Sequence, residues 1–314
     1  MNKPLALAAI ALTLGMTACD NDSPSLVTSA NYVTTNLVIP SNTSEDVKIQ
    51  EVIYTNSFDV YAQLLSISSN NLIIGSGAGN LDIQSMPYSG WNTTAGSIIA
   101  FDAENISGTF GSMSVTGFKG AITDAAYYNA ESVPGVNVMS ANSFIPKVIM
   151  QYKVGNDYTV KTFSRDAVYM GKTTTSVMGM SDQFTSEDIS YRVVFKDEYK
   201  KADVVMYNVQ FNEKMPKMKL MLLRDLDVQF NHLGYVITGS DIIPLVREGE
   251  GQATSTGDPF KDYYTEYTSF PFTSFMLTNQ SDDLNRMDLQ FMVAGRFRGT
   301  FTGSYALTSI NTQN

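Results

Sequence analysis

From Tyr32 onward, apolar and polar residues alternate with a period of two, and no long stripe at helical spacing interrupts them. Phe58, Val60, Ala62 and Leu64 alternate with Asp59, Tyr61 and Gln63, and Val148, Met150, Tyr152 and Val154 with Lys147, Gln151 and Lys153. The same pattern runs through Tyr191, Val193 and Phe195, through Val205, Tyr207, Val209 and Phe211, and through Leu226, Val228 and Phe230. Successive side chains of a strand point to opposite faces, so each run predicts a strand with one dry and one wet face, as in antiparallel sheets. Only Ser186–Ile189 and Ser240–Ile243, where a Ser stands before acidic residues, leave room for short helical pieces. The expected fold class is all-β.

The most informative run lies near the C-terminal end. From Met287 to Tyr305 every second position is apolar or Gly: Leu289, Phe291, Val293, Gly295, Phe297, Gly299, Phe301, Gly303. Strands usually hold about 3–10 residues, so this register must bend or break in two. Gly295, Gly299 and Gly303 fall on the inward face, where the missing Cβ permits the sharp coiling that closes small antiparallel barrels. The alternative is a flat sandwich pair joined at Ala294-Gly295; repeated inward glycines favour the barrel. Phe270, Phe272, Phe291, Phe297, Phe301 and Tyr305 would point into it. There Phe291, Phe297, Phe301 and Tyr305 are the candidate ligand contacts, unless these rings fill the interior, as side chains do in small barrels.

A break in composition at Tyr127–Asn142, with turn chemistry over Asn129-Ala130-Glu131-Ser132-Val133-Pro134-Gly135, divides the body. The expected organisation is an N-terminal β domain over 31–126, a linker over 127–143 and a C-terminal β-barrel over 144–314, with β-sandwiches as the alternative architecture. Ser114–Gly120 faintly echoes Met292–Gly299, as two related barrels in tandem would.

Asn2-Lys3, an apolar stretch from Leu5 to Leu14 and Gly15-Met16-Thr17-Ala18 precede Cys19. The stretch is shorter than the roughly 20 residues needed to span a bilayer, and the order of charge, apolar core and small residues is that of an export signal over 1–18. The Cys directly after the cut makes the segment resemble a bacterial lipoprotein signal, in which that Cys is acylated, and Cys19 is the only Cys in the chain. Acyl chains contribute about 0.8 kcal/mol per buried methylene, enough in number to hold a protein on a bilayer. Asp20-Asn21-Asp22-Ser23-Pro24 then opens an acidic tether over 19–30. That tether resembles the acidic surface-export signal of Bacteroidetes lipoproteins, and the resemblance implies a lipid-anchored protein on the outer membrane that faces the cell exterior; with Cys19 spent on lipid, no intramolecular disulfide is expected.

The formal net charge of −10 argues against nucleic acid, whose binding draws on neutralised phosphates. One His and no Cys beyond Cys19 remove His-pair zinc sites and cysteine nucleophiles, and no Gly-x-Ser-x-Gly turn is present. No enzyme, cofactor or metal is therefore expected: His232 reads as a solvated turn residue, and Ser281-Asp282-Asp283-Leu284-Asn285 with Asp288 as a polar hairpin loop rather than a Ca²⁺ site. Two regions suit contact with a partner. Trp91, the only Trp, sits in turn chemistry, and Tyr263, Tyr264 and Tyr267 follow a patternless stretch from Arg247 that suits a lid or contact loop. Lys196, Lys200, Lys201, Lys214, Lys217 and Lys219 form a basic group flanking one expected hairpin.

An acylatable Cys19, an acidic tether and an all-β body ending in Arg298-Gly299-Thr300-Phe301-Thr302-Gly303-Ser304-Tyr305 resemble uncharacterised Bacteroidetes lipoproteins with calycin-like barrels. The resemblance covers the signal and residues 144–308. It implies a barrel enclosing a lipophilic small molecule, although no residue here matches a known ligand contact. The functional expectation is a non-enzymatic, surface-tethered protein that binds an apolar small molecule or a partner. The rival expectation is a structural or adhesive protein of fimbrial type.

Overall fold

A computed structural model describes residues 27–59, 61–93, 96–103, 106–123, 147–215, 217–247, 264–280 and 286–305. The signal over 1–18, Cys19 with most of the tether, the linker over 127–143, Tyr263 and the cluster 281–285 lie outside the described residues. Among the described residues there is no helix. Ser186–Ile189 lies within a strand, and Ser240–Ile243 is a bend in which Ile242 bridges to Phe272.

The strands form two closed barrels. The first contains β1 (Val27–Pro40), β2 (Lys48–Asp59), β3 (Leu64–Ile74), β4 (Gly77–Pro87), β7 (Gly108–Phe110), β8 (Met113–Thr123), β9 (Lys147–Val154) and β10 (Tyr158–Phe163). A hairpin of β5 (Ser89–Thr93) and β6 (Gly96–Ala103) hangs on β8. The second contains β11 (Asp166–Val177), β12 (Gln183–Lys196), β13 (Lys201–Val209), β14 (Met218–Asn231), β15 (Gly234–Gly239), β18 (Phe272–Asn279), β19 (Arg286–Val293) and β20 (Phe297–Tyr305). Here β16 (Leu245–Arg247) and β17 (Thr265–Glu266) hang on β14. In each barrel every strand pairs antiparallel with the next, and the last pairs with the first: β10 with β1, β20 with β11. Both domains are thus eight-stranded up-and-down barrels, which closure leaves without open edges, and neither is a sandwich.

The domain boundary differs from the expected one. The strands β9 and β10, placed by composition in the C-terminal domain, complete the first barrel through Val154↔Val115 and Val160↔Val38. The junction is Ser164-Arg165, between Phe163 and Asp166. A break in composition marks a loop; whether that loop separates domains depends on which strands pair across it. The echo between Ser114–Gly120 and Met292–Gly299 also falls on unlike positions. Gly117 (φ 63°) lies where the β8–β9 register shifts, and Gly295 lies in the β19–β20 turn. The shared meander, not the echo, is what the two halves have in common.

Alternation predicted the walls and missed some of the corners. The register from Met287 to Tyr305 is two strands, turned at Ala294 (φ 51°) and Gly295 (φ 59°), with Arg296 N donating to Val293 O at 3.0 Å. Positive φ at both central residues is the type I′ geometry that suits the twist of a hairpin. The sandwich alternative had the join right, and the barrel had the closure right. The run from Phe58 to Leu64 likewise breaks, between β2 and β3, where Asp59 Oδ1 accepts from the amides of Tyr61 and Ala62 at 3.1 and 2.9 Å. In β13, Val204 and Met206 face the core; after Asn208 (φ 58°), Val209 and Phe211 do. A bulge at Asp225 (φ 59°) shifts β14 in the same way before Leu226, Val228 and Phe230.

Candidate functional site

The interior of the second barrel is occupied by its own rings. Phe291, Phe301 and Phe297 are 2%, 1% and 9% exposed. Phe291 meets Phe211 and Phe272, each at 5.6 Å between centroids, and Phe301 meets Tyr191 at 4.3 Å. The inward glycines make room for these rings. A Cβ on Gly299 would stand 2.1 Å from Phe291 Cζ, and one on Gly303 2.2 Å from Phe301 Cζ. Phe291, Phe297 and Phe301, expected as candidate ligand contacts, are core packing. Tyr305 closes β20 opposite Tyr169 in backbone register.

Both ends of this barrel are covered. At the far end Tyr267 stacks on Phe270 at 5.1 Å, and Phe270 on Phe297 at 5.9 Å. At the near end Phe163 of the first barrel enters the mouth and meets Phe195, Phe230, Tyr235 and Tyr199 at 5.3, 5.7, 5.7 and 6.0 Å. Beneath it Tyr169 and Tyr235 share a hydroxyl contact at 3.0 Å, and their burial pushes both phenols above their ordinary range. Under Phe163 lies a small cavity of about 20 Å³ among Phe163, Tyr169, Tyr235 and Asn279, room for one water.

The first barrel is filled as well. Phe101, Phe118 and Tyr152 stack at 5.8 and 5.0 Å. Asn36 Nδ2 donates to Tyr54 Oη at 2.7 Å, and Tyr54 Oη lies 2.9 Å from Tyr152 Oη, a buried polar chain across the interior. Burial raises both phenols, as it must for a group whose charged form would have no water.

The expected contact residues separate. Tyr264 is 6% exposed and packs with Val205, Leu220 and Leu222 on the outer wall of the second barrel. It belongs to a strap made with β16 and β17, which explains why β13 is buried on both faces. Tyr267 is in the end stack, and Trp91 lies in β5 opposite Ile98 of β6. The basic group is not one patch. Lys196, Lys200 and Lys201 lie at the β12–β13 turn and Lys214 and Lys217 at the β13–β14 turn, the opposite end of β13. Lys196 Nζ is 2.6 Å from both Asp203 and Asp225, and Lys201 Nζ 2.6 Å from Asp227. The Lys196 hydrogen bond holds the Asp225 carboxyl below its usual range. Partial burial would raise Asp288, but Arg286 and Thr302 bond to it and hold it low, so this carboxylate is engaged within the wall.

Sequence reasoning missed the seam between the barrels. Asp197, Glu198 and Tyr199 adopt three consecutive left-handed conformations (φ 49°, 54°, 67°), which cost non-glycine residues free energy. This strained turn carries Tyr199 to the first barrel. There its hydroxyl lies 2.7 Å from Thr35 Oγ1 and donates to Glu51 Oε1 at 2.7 Å, and Arg165 lies 3.6 Å from Glu51. Beside the clasp runs an open groove of about 430 Å³, lined by Asp46, Val47 and Ile49 of the first barrel and Phe230, Asn231 and His232 of the second. His232 stands in the β14–β15 turn, as expected, where Asn231 Oδ1 accepts from the amides of Leu233 and Gly234. The turn is as the sequence implies, but the solvated ring expected there is not: Nε2 is sealed from solvent and has no hydrogen-bond partner among the described residues. Among the described residues no group of three or more His, Cys, Asp or Glu side chains could hold a metal. No protein-family model matches the chain, and no curated protein or solved structure is significantly similar to it.

Proposed function

We propose that this chain is a non-enzymatic lipoprotein, held on the outer membrane through acylated Cys19 and facing the exterior, that binds a protein partner on the outside of its two barrels. The observation that carries the reading is the filling of both interiors. With Phe291 and Phe301 packed in one barrel and Tyr54 and Tyr152 in the other, recognition falls to walls, loops and the seam. A lipophilic small molecule, the other occupant considered, would have to displace about 2 kcal/mol of burial for each ring moved. The anchor rests on the export signal and on Cys19 as the only Cys.

A lipid-labelling and surface-shaving experiment on intact cells tests this. The wild-type chain should incorporate a palmitate analogue and be removed by external protease, and Cys19→Ala should lose the label. Label retained in Cys19→Ala, or a chain protected until the outer membrane is opened, contradicts the anchored, outward-facing reading. One feature favours the structural or adhesive alternative: among the described residues β5 pairs only with β6, leaving one strand edge for a neighbour. Polymers of the chain on the cell surface would support that alternative.

A further inference from the structure

We propose that the groove between the barrels receives a lysine or arginine side chain of the protein partner, with Asp46 meeting the cationic head and Val47, Ile49 and Phe230 the aliphatic stem. This rests on the partner-binding reading above and names the chemistry of that partner. At about 430 Å³ the groove lies in the range of ligand sites, and it sits between two domains, where such sites concentrate.

Its polarity selects the occupant. Asp46 is exposed and makes no ion pair among the described residues, and Glu45 beside it is exposed too. Lys48 Nζ, on the same strand as Ile49, donates to Gly75 O at 2.8 Å, and among its contacts Lys161 Nζ donates to Leu233 O at 3.2 Å. An anion on the rim and apolar side chains on the walls match a long cationic side chain, whose methylenes lie on apolar surface while the head stays at the water boundary. A purely apolar guest would leave the Asp46 carboxylate without a partner, and an acidic one would place like charge against it. The chain's net charge of −10 adds long-range attraction for a basic partner. Its walls come from both barrels, which the contacts of Tyr199 with Thr35 and Glu51 join beside it.

The only His in the chain lines this groove, so its ring protons are an isolated reporter in a magnetic resonance spectrum. Titration of the whole protein with N-acetyl-lysine amide and N-acetyl-arginine amide should shift the His232 ring signals saturably. N-acetyl-glutamate amide should not. Asp46→Lys, on an exposed loop, should weaken the cation response at least about tenfold. No saturable shift with either cation, an equal response to the glutamate compound, or an unchanged response in Asp46→Lys overturns the proposal. A second arm crosslinks the anchored protein on intact cells. A partner complex that forms with the wild type and is lost in Asp46→Lys supports the groove. A complex that survives Asp46→Lys overturns the groove and leaves the partner-binding reading standing, and the absence of any complex overturns both.

Discussion

Gly299 and Gly303 are where a single atom decides how the second barrel is filled. Each leaves the space of a Cβ to a phenylalanine ring, and the repeat of Gly with Phe along β20 was plain in the sequence. The sequence did not reveal whether the rings would line a pocket or close it, since inward aromatics read alike in both cases. The answer came from facing residues far along the chain, such as Tyr191 and Phe211. Gly299→Ala should therefore destabilise the protein by about 1–3 kcal/mol through overpacking. Phe291→Leu in the same chain should recover part of that loss, as denaturant unfolding of the double-mutant cycle would measure. Equal stability of Gly299→Ala and wild type would mean that the ring has room to move. The buried phenols make a second prediction at this scale. Tyr54, Tyr152, Tyr169, Tyr191 and Tyr235 all have folded-state values raised by burial above the ordinary 10.0. A raised value means that the stabilisation is complete below pH 10.0 and is lost as pH climbs through the folded-state values. The urea midpoint should hold steady from about pH 7 to 9 and fall steeply above 10, and a midpoint unchanged to about pH 11.5 would contradict buried, neutral phenols.

At the scale of elements, alternation gave the inner faces of most strands correctly, because one buried face imposes a period of two whatever the topology. It failed at the corner between Asp59 and Leu64, through which it ran unbroken, and at Ala294-Gly295 only the excessive length of the run pointed to a break, since a tight turn can preserve the count. It also failed where a left-handed residue, Asn208 or Asp225, changed which parity faced inward. The strap that carries Tyr264 was legible only as a tyrosine-rich stretch without a pattern. Its partners Val205, Leu220 and Leu222 lie on the outer wall, the face that alternation assigns to water. Tyr264→Ala should expose that wall and cost about 3 kcal/mol. The inner core should keep its near-ultraviolet aromatic spectrum. Stability within about 0.5 kcal/mol of wild type would mean that the strap is incidental to the barrel.

Across the whole molecule, two barrels of one meander topology meet over a two-residue junction, and Phe163 of the first stoppers the mouth of the second. Two β domains and a C-terminal barrel were legible in the alternation, but the junction and the stopper were not, because a boundary placed by composition assigned β9 and β10 to the wrong barrel. The signal that could have found the junction is small: two alternating runs on either side of Ser164-Arg165. Phe163→Ala should loosen the joint, and thermal unfolding should then resolve into two transitions where the wild type has one. A single transition in the variant would show that the clasp at Tyr199 is sufficient alone.

Both barrels are filled, and the function proposed above places recognition on their outer surfaces. Titration of the intact protein with a fluorescent fatty-acid analogue, followed by its emission, tests it most directly. A weak, non-saturating rise is expected. Saturable one-to-one uptake with a blue-shifted emission, abolished when Phe291 is changed to Trp, would place a ligand inside the second barrel and overturn the outside-binding reading.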